Sequence, residues 1–211
     1  MRRSTLVVGL AILAAILAGS VAWYLTPMPN PDGQAFTVSK SNAPPVSVGG
    51  PFELTAHTGE AVTDKSFGDK YLLIFFGYTF CPDVCPTTLN DVAVALDSIG
   101  MRADLVQPLF ITVDPARDTP EVLADYVTAF YPSILGLTGT PEQIAQVAKA
   151  YRAYYAKADP KTEDTEFYLM DHSVMLYLMS PEGQLLTLFS HTASPEDIAK
   201  GLMKYLPQPT S

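Results

Sequence analysis

The sequence predicts an α/β fold in which helices cover both faces of one open sheet. Two largely apolar runs, residues 71–76 and 109–113, are typical of strands that are buried on both faces. Segments with helical spacing of apolar residues alternate with these runs, as in sheets with crossover helices. The chain has 211 residues, which leaves enough for one domain with a core once an apolar N-terminus and a Pro-rich stretch are set aside.

Each element follows from a local pattern. Alternating or continuously apolar runs predict strands, and apolar residues three and four positions apart predict helices. The predicted order is a hairpin, three strands that alternate with three helices, a second hairpin and a final helix. The predicted strands are residues 52–56, 60–63, 71–76, 109–113, 134–137, 174–179 and 185–189. The first predicted helix carries an apolar repeat at residues 89–99, and the other predicted helices are residues 120–131, 141–153 and 195–206.

Three helix starts share one signature, a hydroxyl residue followed by Pro and Glu, at Thr119, Thr140 and Ser194. The hydroxyl caps the helix, Pro suits its first position, and the acid interacts favourably with the helix dipole. A second hairpin followed by a terminal helix is typical of a thioredoxin-like three-layer sandwich. Residues 154–170 are predicted to form an inserted loop or an additional hairpin within this fold.

The N-terminal 25 residues predict a short cytoplasmic stub and a transmembrane anchor. Residues 6–25 carry no charge, and about 20 apolar residues span a bilayer. Arg2 and Arg3 precede the segment, which predicts a cytoplasmic N-terminus and a domain facing the periplasm or an equivalent space. Trp23 and Tyr24 suit the membrane interface. A cleaved signal peptide is the alternative, because residues 20–22 form a passable cleavage site.

Residues 26–50 predict a Pro-rich, semi-rigid linker, and residues 51–207 predict the folded domain. The formal net charge of the chain is −9. Because acidic surfaces repel phosphate backbones, nucleic acid is not an expected partner. A cationic protein or a cationic metal would suit this charge.

The two cysteines, Cys81 and Cys85, lie where a predicted buried strand ends and a helix starts. Pro82 or Pro86 suits the first helical turn, so at least one sulfur is expected at a helix N-terminus. A disulfide between such near neighbours closes a small loop and stabilises little, so chemistry explains the pair better than stability. If the stretch is helical, both side chains share one face with Cβ atoms about 5–6 Å apart. That separation favours one soft metal ion over a disulfide, without excluding the disulfide.

His172 is the candidate third ligand. It lies just before the predicted strand at residues 174–179, and in a thioredoxin-like sheet the loop before that strand faces the cysteine turn. Two thiolates and one imidazole suit Cu(I), and an added ligand suits Cu(II) or zinc. Asp171 either orients the imidazole or caps a turn. His57 and His191 are interpreted as surface or loop residues, and Asp83 either tunes the site or is a solvated loop acid.

Residues 114–118 contain a second charged group. Asp114, Arg117 and Asp118 predict either a structural turn with an internal ion pair or a surface for docking a partner. Two methionines on the predicted strand 174–179, Met175 and Met179, are interpreted as core residues and not as thioether ligands.

Three motifs resemble the Sco/SenC family of copper chaperones. They are FFGYTFCPDVCP at residues 75–86, TVDPARDTP at residues 112–120 and DHS at residues 171–173. The resemblance implies a thioredoxin-like fold with copper held by Cys81, Cys85 and His172. It also implies delivery of copper to the binuclear copper centre of cytochrome c oxidase, with the receiving subunit as partner. A periplasmic copper chaperone or a thioredoxin-like reductant would be a further partner.

Two other functions stay open. The cysteine pair could act as a thiol–disulfide oxidoreductase on an oxidase subunit or another exported protein. A peroxidase of the thioredoxin superfamily is suggested by Thr79, but Cys85 and His172 argue against it. Metal binding needs His172, whereas disulfide exchange does not.

We expect residues 6–25 to remain attached in the mature protein, because the uncharged segment exceeds the apolar core of a signal peptide, about 7–15 residues. Alkaline carbonate extraction should leave the protein in the membrane pellet, and N-terminal sequencing should read the segment itself. Mature protein that begins near Trp23 and is free in the periplasm would show that the segment is cleaved.

Overall fold

The structure is a computed structural model, and it describes residues 47–159, 161 and 167–208. The predicted anchor and nearly all of the predicted linker lie outside these residues. None of the helices in the described ranges is long and apolar enough to cross a membrane. The strands are β1 (Glu53–Ala56), β2 (Ala61–Thr63), β3 (Tyr71–Gly77), β4 (Val106–Thr112), β5 (Leu135–Thr138), β6 (Tyr155–Lys157), β7 (Met170–His172), β8 (Met175–Met179) and β9 (Leu185–Ser190). The α-helices are α1 (Val84–Ile99), α2 (Pro120–Thr128), α3 (Pro141–Tyr151) and α4 (Pro195–Tyr205).

Seven of these strands form one mixed sheet with the order β2-β1-β5-β4-β3-β8-β9. The central strands β5, β4 and β3 run parallel, and β1 and β8 pair antiparallel with β5 and β3. Strands β6 and β7 pair with each other as a separate two-stranded sheet. Of the two alternatives predicted for residues 154–170, an inserted loop or an additional hairpin, the structure shows the hairpin. Its second strand extends two residues beyond that segment and ends at His172.

Adjacent aromatic residues of β3 point to opposite faces of the sheet, because side chains alternate along a strand. Phe75 packs beside Phe110 of β4, which in turn contacts Tyr126 of α2. Phe76 contacts Tyr151 of α3 on the other face. Helices therefore cover both faces, and the predicted three-layer α/β arrangement is confirmed.

The predicted helix caps are present. The side chains of Thr119, Thr140 and Ser194 each accept a hydrogen bond from a backbone amide in the first turn of α2, α3 and α4. The predicted turn between β8 and β9 is also present, with the amide of Gly183 donating to the carbonyl of Ser180. Local sequence signals thus determine where these elements begin.

The start of α1 agrees with the prediction that Pro82 or Pro86 occupies the first helical turn. The helix begins at Val84, so Pro86 lies in its first turn, where it needs no amide partner, and the apolar repeat starts only at Leu89. Two short 3₁₀ helices, Asp64–Phe67 and Gly100–Leu105, were not predicted, since neither displays an apolar period.

Gly77 ends β3 where the two packed neighbours leave no room for a side chain. A Cβ atom there would lie 2.6 Å from the ring of Phe110 and 2.9 Å from the sulfur of Cys85. Both neighbours are fully buried, so neither can move away without disturbing the core.

Gly77→Ala should therefore lower the free energy of unfolding by about 1–3 kcal/mol through overpacking. Gly50→Ala is the matched control, because its added Cβ would meet only the Cβ of Ala150, at 3.4 Å. Urea titration followed by circular dichroism measures both values. Equal stabilities for the two variants would contradict the close packing inferred at Gly77.

Candidate metal centre

The cysteine loop connects the end of β3 to the start of α1. A tight turn follows Gly77, in which the amide of Cys81 donates to the carbonyl of Tyr78 at 3.2 Å. Cys81 lies ahead of the helix and is partly exposed, whereas Cys85 is the second residue of α1 and is fully buried. The condition under which both cysteines would share a helical face is therefore not met, because Cys81 lies before the helix, which begins at Val84.

The two sulfurs nonetheless meet, because the turn brings Cys81 over the first turn of α1. The amide of Cys85 donates a hydrogen bond to the Cys81 sulfur at 3.4 Å. Amides at a helix N-terminus point out of the helix, and with the helix dipole they stabilise a thiolate over a thiol. The position thus favours the charged form of Cys81. No disulfide joins the two cysteines in the structure.

His172 reaches the cysteines from the separate sheet formed by β6 and β7. Its Nε2 atom lies 3.5 Å from the sulfur of Cys85. Its Nδ1 atom lies 3.2 Å from the carbonyl oxygen of Ser173. A carbonyl oxygen only accepts, so Nδ1 carries the hydrogen and Nε2 offers its lone pair to the cysteine side. The rings of Phe75 and Tyr78 pack edge-on near the imidazole, at 6.1 and 5.7 Å between centroids.

The ligand atoms of Cys81, Cys85 and His172 all lie within 4.8 Å of one another. An ion bonded at about 2.0–2.3 Å to three ligands in a trigonal arrangement holds them about 3.5–4.0 Å apart. The ligand atoms therefore need to move only slightly to surround one ion. Two sulfurs and one imidazole nitrogen are a soft donor set, which suits copper better than magnesium or calcium.

The two thiols share one negative charge in the metal-free protein. Hydrogen bonding by the Cys85 thiol lowers the pKa of Cys81 to about 4, with further help from backbone amides and against the opposing effect of burial. The same hydrogen bond, together with burial, raises the pKa of Cys85 well above its ordinary range. At neutral pH, Cys81 is thus a thiolate and Cys85 a thiol.

Other residues singled out by the sequence occupy different positions. Asp171 is exposed, and the carbonyl of Ser173, not this carboxylate, orients the imidazole of His172. Asp83 is the N-cap residue of α1 but makes no side-chain capping bond. His57 lies near the opposite edge of the sheet, where its Nδ1 accepts a hydrogen bond from the amide of Gly136 at 3.0 Å.

The charged group after β4 is confirmed as a turn with an internal ion pair. The Arg117 side chain binds Asp114 with a distance of 2.5 Å between Nε and Oδ2. Asp114 and Asp118 are buried, which excludes these carboxylates from a docking surface. The sequence predicted the ion pair between Asp114 and Arg117. It did not predict that Thr79 and Tyr168 donate hydrogen bonds to Asp118 and Asp114, or that the Tyr78 hydroxyl accepts one from the amide of Met170.

A family model described as SCO1/SenC matches residues 40–207. The chain belongs to the SCO1/SenC family. It is 48% identical over 162 residues to the mitochondrial SCO1 homologue of Homo sapiens, a match that covers 75% of this chain and 53% of that protein. It is 45% identical over 159 residues to protein SenC of Rhodobacter capsulatus, covering 75% of this chain and 71% of that protein.

Solved structures of SCO1/SenC relatives share the fold described above. The structure of ScoI from Bradyrhizobium japonicum with copper bound is 46% identical, has a TM-score of 0.69, and covers 76% of this chain and 100% of that chain. Yeast Sco1 with copper bound is 38% identical, has a TM-score of 0.70, and covers 76% of this chain and 88% of that chain. The chain spans about half of the human relative's length.

The rate of Cys81 alkylation by iodoacetamide should be nearly constant between about pH 6 and 8, because a thiol with a pKa of about 4 is already ionised there. In Cys85→Ala, the hydrogen bond from the Cys85 thiol is lost and the pKa of Cys81 should rise. The rate in that variant should then fall as the pH is lowered through the new pKa. Mass spectrometry of timed reactions measures both profiles, and a wild-type rate rising about tenfold per pH unit would contradict the low pKa.

Proposed function

We propose that this chain binds one copper ion through Cys81, Cys85 and His172 and delivers it to the copper-receiving subunit of cytochrome c oxidase, at the binuclear copper centre. One observation carries the proposal: three soft ligand atoms from two separate segments converge within 4.8 Å. The copper-bound structures of two relatives with at least 38% identity support copper as the ion.

The site chemistry suits both oxidation states of copper. Two thiolates satisfy Cu(I) with low coordination, and the imidazole completes a trigonal set. Cu(II) prefers additional nitrogen or oxygen ligands, so it depends more strongly on His172. Binding removes the proton of Cys85, because the thiolate is the form that binds metal. Copper uptake should therefore release a proton near neutral pH.

The surroundings of the site suit transfer to another protein. Cys81 is partly exposed, so an incoming ligand can reach the copper without unfolding the domain. Phe80, next to Cys81, and Leu169, near His172, are large apolar side chains with 51% and 54% exposure. Apolar side chains exposed around a polar centre are typical of a surface that docks a partner. A periplasmic copper chaperone or a thioredoxin-like reductant would use the same face.

The proposed location is the cytoplasmic membrane, with the domain on the periplasmic side or in an equivalent space. Residues 6–25 would anchor the chain and residues 26–50 would act as the Pro-rich linker to the folded domain of residues 51–207. An anchored domain on a linker stays close to a membrane-bound oxidase, which raises its effective concentration there.

A second function, thiol–disulfide exchange, is favoured by the ionised, accessible Cys81 beside the buried thiol of Cys85. In that reaction the Cys81 thiolate attacks a partner disulfide, forms a mixed disulfide and releases one partner thiolate. Cys85, deprotonated, then attacks the Cys81 sulfur and releases the second partner thiolate. The chain ends as a disulfide, and the partner gains two electrons and, on protonation, two protons.

His172→Ala separates the two functions. The variant should retain one Cu(I) per chain through the two thiolates. Its affinity for Cu(II) should fall about 100-fold or more. Mutating a residue that only hydrogen-bonds to a metal ligand already lowers metal affinity about 10- to 100-fold, and this variant removes a proposed ligand itself. Loss of the Cu(II)–thiolate absorption and failure of oxidase assembly in cells are the readouts. Reduction of its disulfide by a dithiol should remain as in the wild type.

His191→Ala is the matched control, since His191 is exposed and is not among the three converging residues. It should bind both oxidation states as the wild type does. Absence of any retained copper in the reduced wild-type protein would overturn the metal-binding proposal. Full oxidase assembly by His172→Ala, with none by Cys81→Ser, would instead establish disulfide exchange.

A further inference from the structure

The ligands come from two pieces of chain that are held together by one arginine. Arg117 lies after β4, with its guanidinium carbon 4.5 Å from the ring centroid of Phe80 and 3.6 Å from that of Tyr168. Phe80 is the neighbour of Cys81, and Tyr168 leads into β7, which ends at His172. We call Phe80, Arg117 and Tyr168 the arginine stack. The guanidinium contacts the cysteine half and the histidine half of the site at once.

The carboxylate of Asp114 holds two members of the stack in place. One oxygen accepts from Arg117 Nε at 2.5 Å, and the other accepts from the Tyr168 hydroxyl at 2.6 Å. Asp114 is 4% exposed and the Arg117 side chain 9%. Interactions at this depth are screened little by solvent, so they restrict the geometry more than surface contacts do.

The cysteine half is fixed independently by Asp118, which is fully buried. Its carboxylate accepts from the amide and hydroxyl of Thr79, at 3.1 and 2.6 Å, and from the hydroxyl of Thr112 at 2.5 Å. Because Thr79 precedes Cys81 by two residues, the loop cannot shift without breaking these bonds. The loop therefore provides a fixed base for the arginine stack.

The histidine half is not part of the main sheet. Strands β6 and β7 pair only with each other in the described residues. Besides the stack, side-chain contacts hold it: the amide of Met170 donates to the hydroxyl of Tyr78 at 3.2 Å, the His172 ring lies against Phe75 and Tyr78, and Tyr155 and Met170 pack against the core. The distance between the imidazole and the two sulfurs therefore depends on how firmly this small sheet is held.

We propose that Arg117 is a positioning residue that keeps the imidazole of His172 within bonding range of copper held by the two cysteines. The inference rests on the proposed copper-binding function. The cysteines are both on the firmly held loop, so they retain Cu(I) when the stack loosens. The imidazole moves away with β7, so Cu(II), which needs it, is lost. Arg117 thereby sets the preference of the site between the two oxidation states.

Lysine cannot replace arginine in this role. Its compact ammonium can still pair with Asp114, but it has no planar face to lie between two rings. Arg117→Lys thus keeps the charge and removes the stacking. Arg102→Lys is the matched control, because Arg102 makes its hydrogen bonds to Met203 and Gln208, at the C-terminal end of the chain.

The test uses the full-length chain and two readouts. In the metal-free protein, hydrogen exchange of the Met170 amide, measured by NMR, should be about tenfold faster in Arg117→Lys than in the wild type. With copper, Arg117→Lys should bind Cu(II) about 10- to 100-fold more weakly, seen as loss of Cu(II)–thiolate absorption, and should retain one Cu(I). Arg102→Lys should match the wild type in both.

Unchanged Met170 exchange and unchanged Cu(II) binding in Arg117→Lys would overturn the inference, as would parallel loss of Cu(I) and Cu(II). If Arg117→Lys does not fold, Phe80→Leu removes one ring of the stack at a half-exposed position and should show both effects to a smaller degree. Wild-type values in Phe80→Leu would then overturn the inference. A wild-type chain that binds no copper refutes the proposed function alone, since Met170 exchange still tests the positioning.

Discussion

The site depends on one constraint, the contact between two segments that lie far apart in the chain. The sulfur of Cys85 and the Nε2 atom of His172 are 3.5 Å apart, although 87 positions separate the residues. The turn after β4 makes this possible, because its two buried carboxylates bind one segment each. Buried carboxylates are costly unless they are hydrogen-bonded, so both segments are held where the donors satisfy them.

Asp118 and Asp114 each bind one of the two segments. Asp118 binds the cysteine loop through Thr79, and Asp114 binds the other segment through the Tyr168 hydroxyl. Arg117 neutralises part of this buried negative charge and joins the two sides through its aromatic neighbours. The cysteine loop and the turn after β4 both lie at the carboxyl ends of neighbouring parallel strands, where ligand sites in open α/β sheets are generally found.

The unequal support of the two halves has a chemical consequence. The cysteines occupy one short loop that a buried carboxylate fixes to the domain, whereas the imidazole comes from a two-stranded sheet that does not pair with the main sheet in the described residues. A metal that needs only sulfur is held by the rigid half. A metal that also needs nitrogen is sensitive to the position of the second half. Such an arrangement fits the proposed function, in which the protein holds copper and then releases it to a partner.

Under the proposed function and its alternative, the same pair of cysteines would serve metal binding and thiol exchange through one physical property. The thiol of Cys85 stabilises the thiolate of Cys81, so one sulfur is ready to bind or attack at neutral pH while the other keeps its proton. His172 distinguishes the two uses, because its lone pair matters to a metal ion and not to disulfide exchange.

The sequence by itself determined the order of the elements of the sheet, the helix caps at Thr119, Thr140 and Ser194, and the identity of the three converging residues. These features follow from local patterns, since capping, apolar periodicity and motif spacing involve residues within a few positions of each other. The N-terminal anchor was also a sequence prediction, and it lies outside the described residues.

Only the tertiary structure decided how the site is held. Thr79 meets Asp118 across 39 positions, Tyr168 meets Asp114 across 54, and the Met170 amide meets Tyr78 across 92. No local pattern encodes such contacts, because each partner looks like an ordinary loop or core residue in its own surroundings. The orientation of His172 by the Ser173 carbonyl, and the turn that places Cys81 ahead of α1, likewise depend on backbone geometry that residue spacing does not specify.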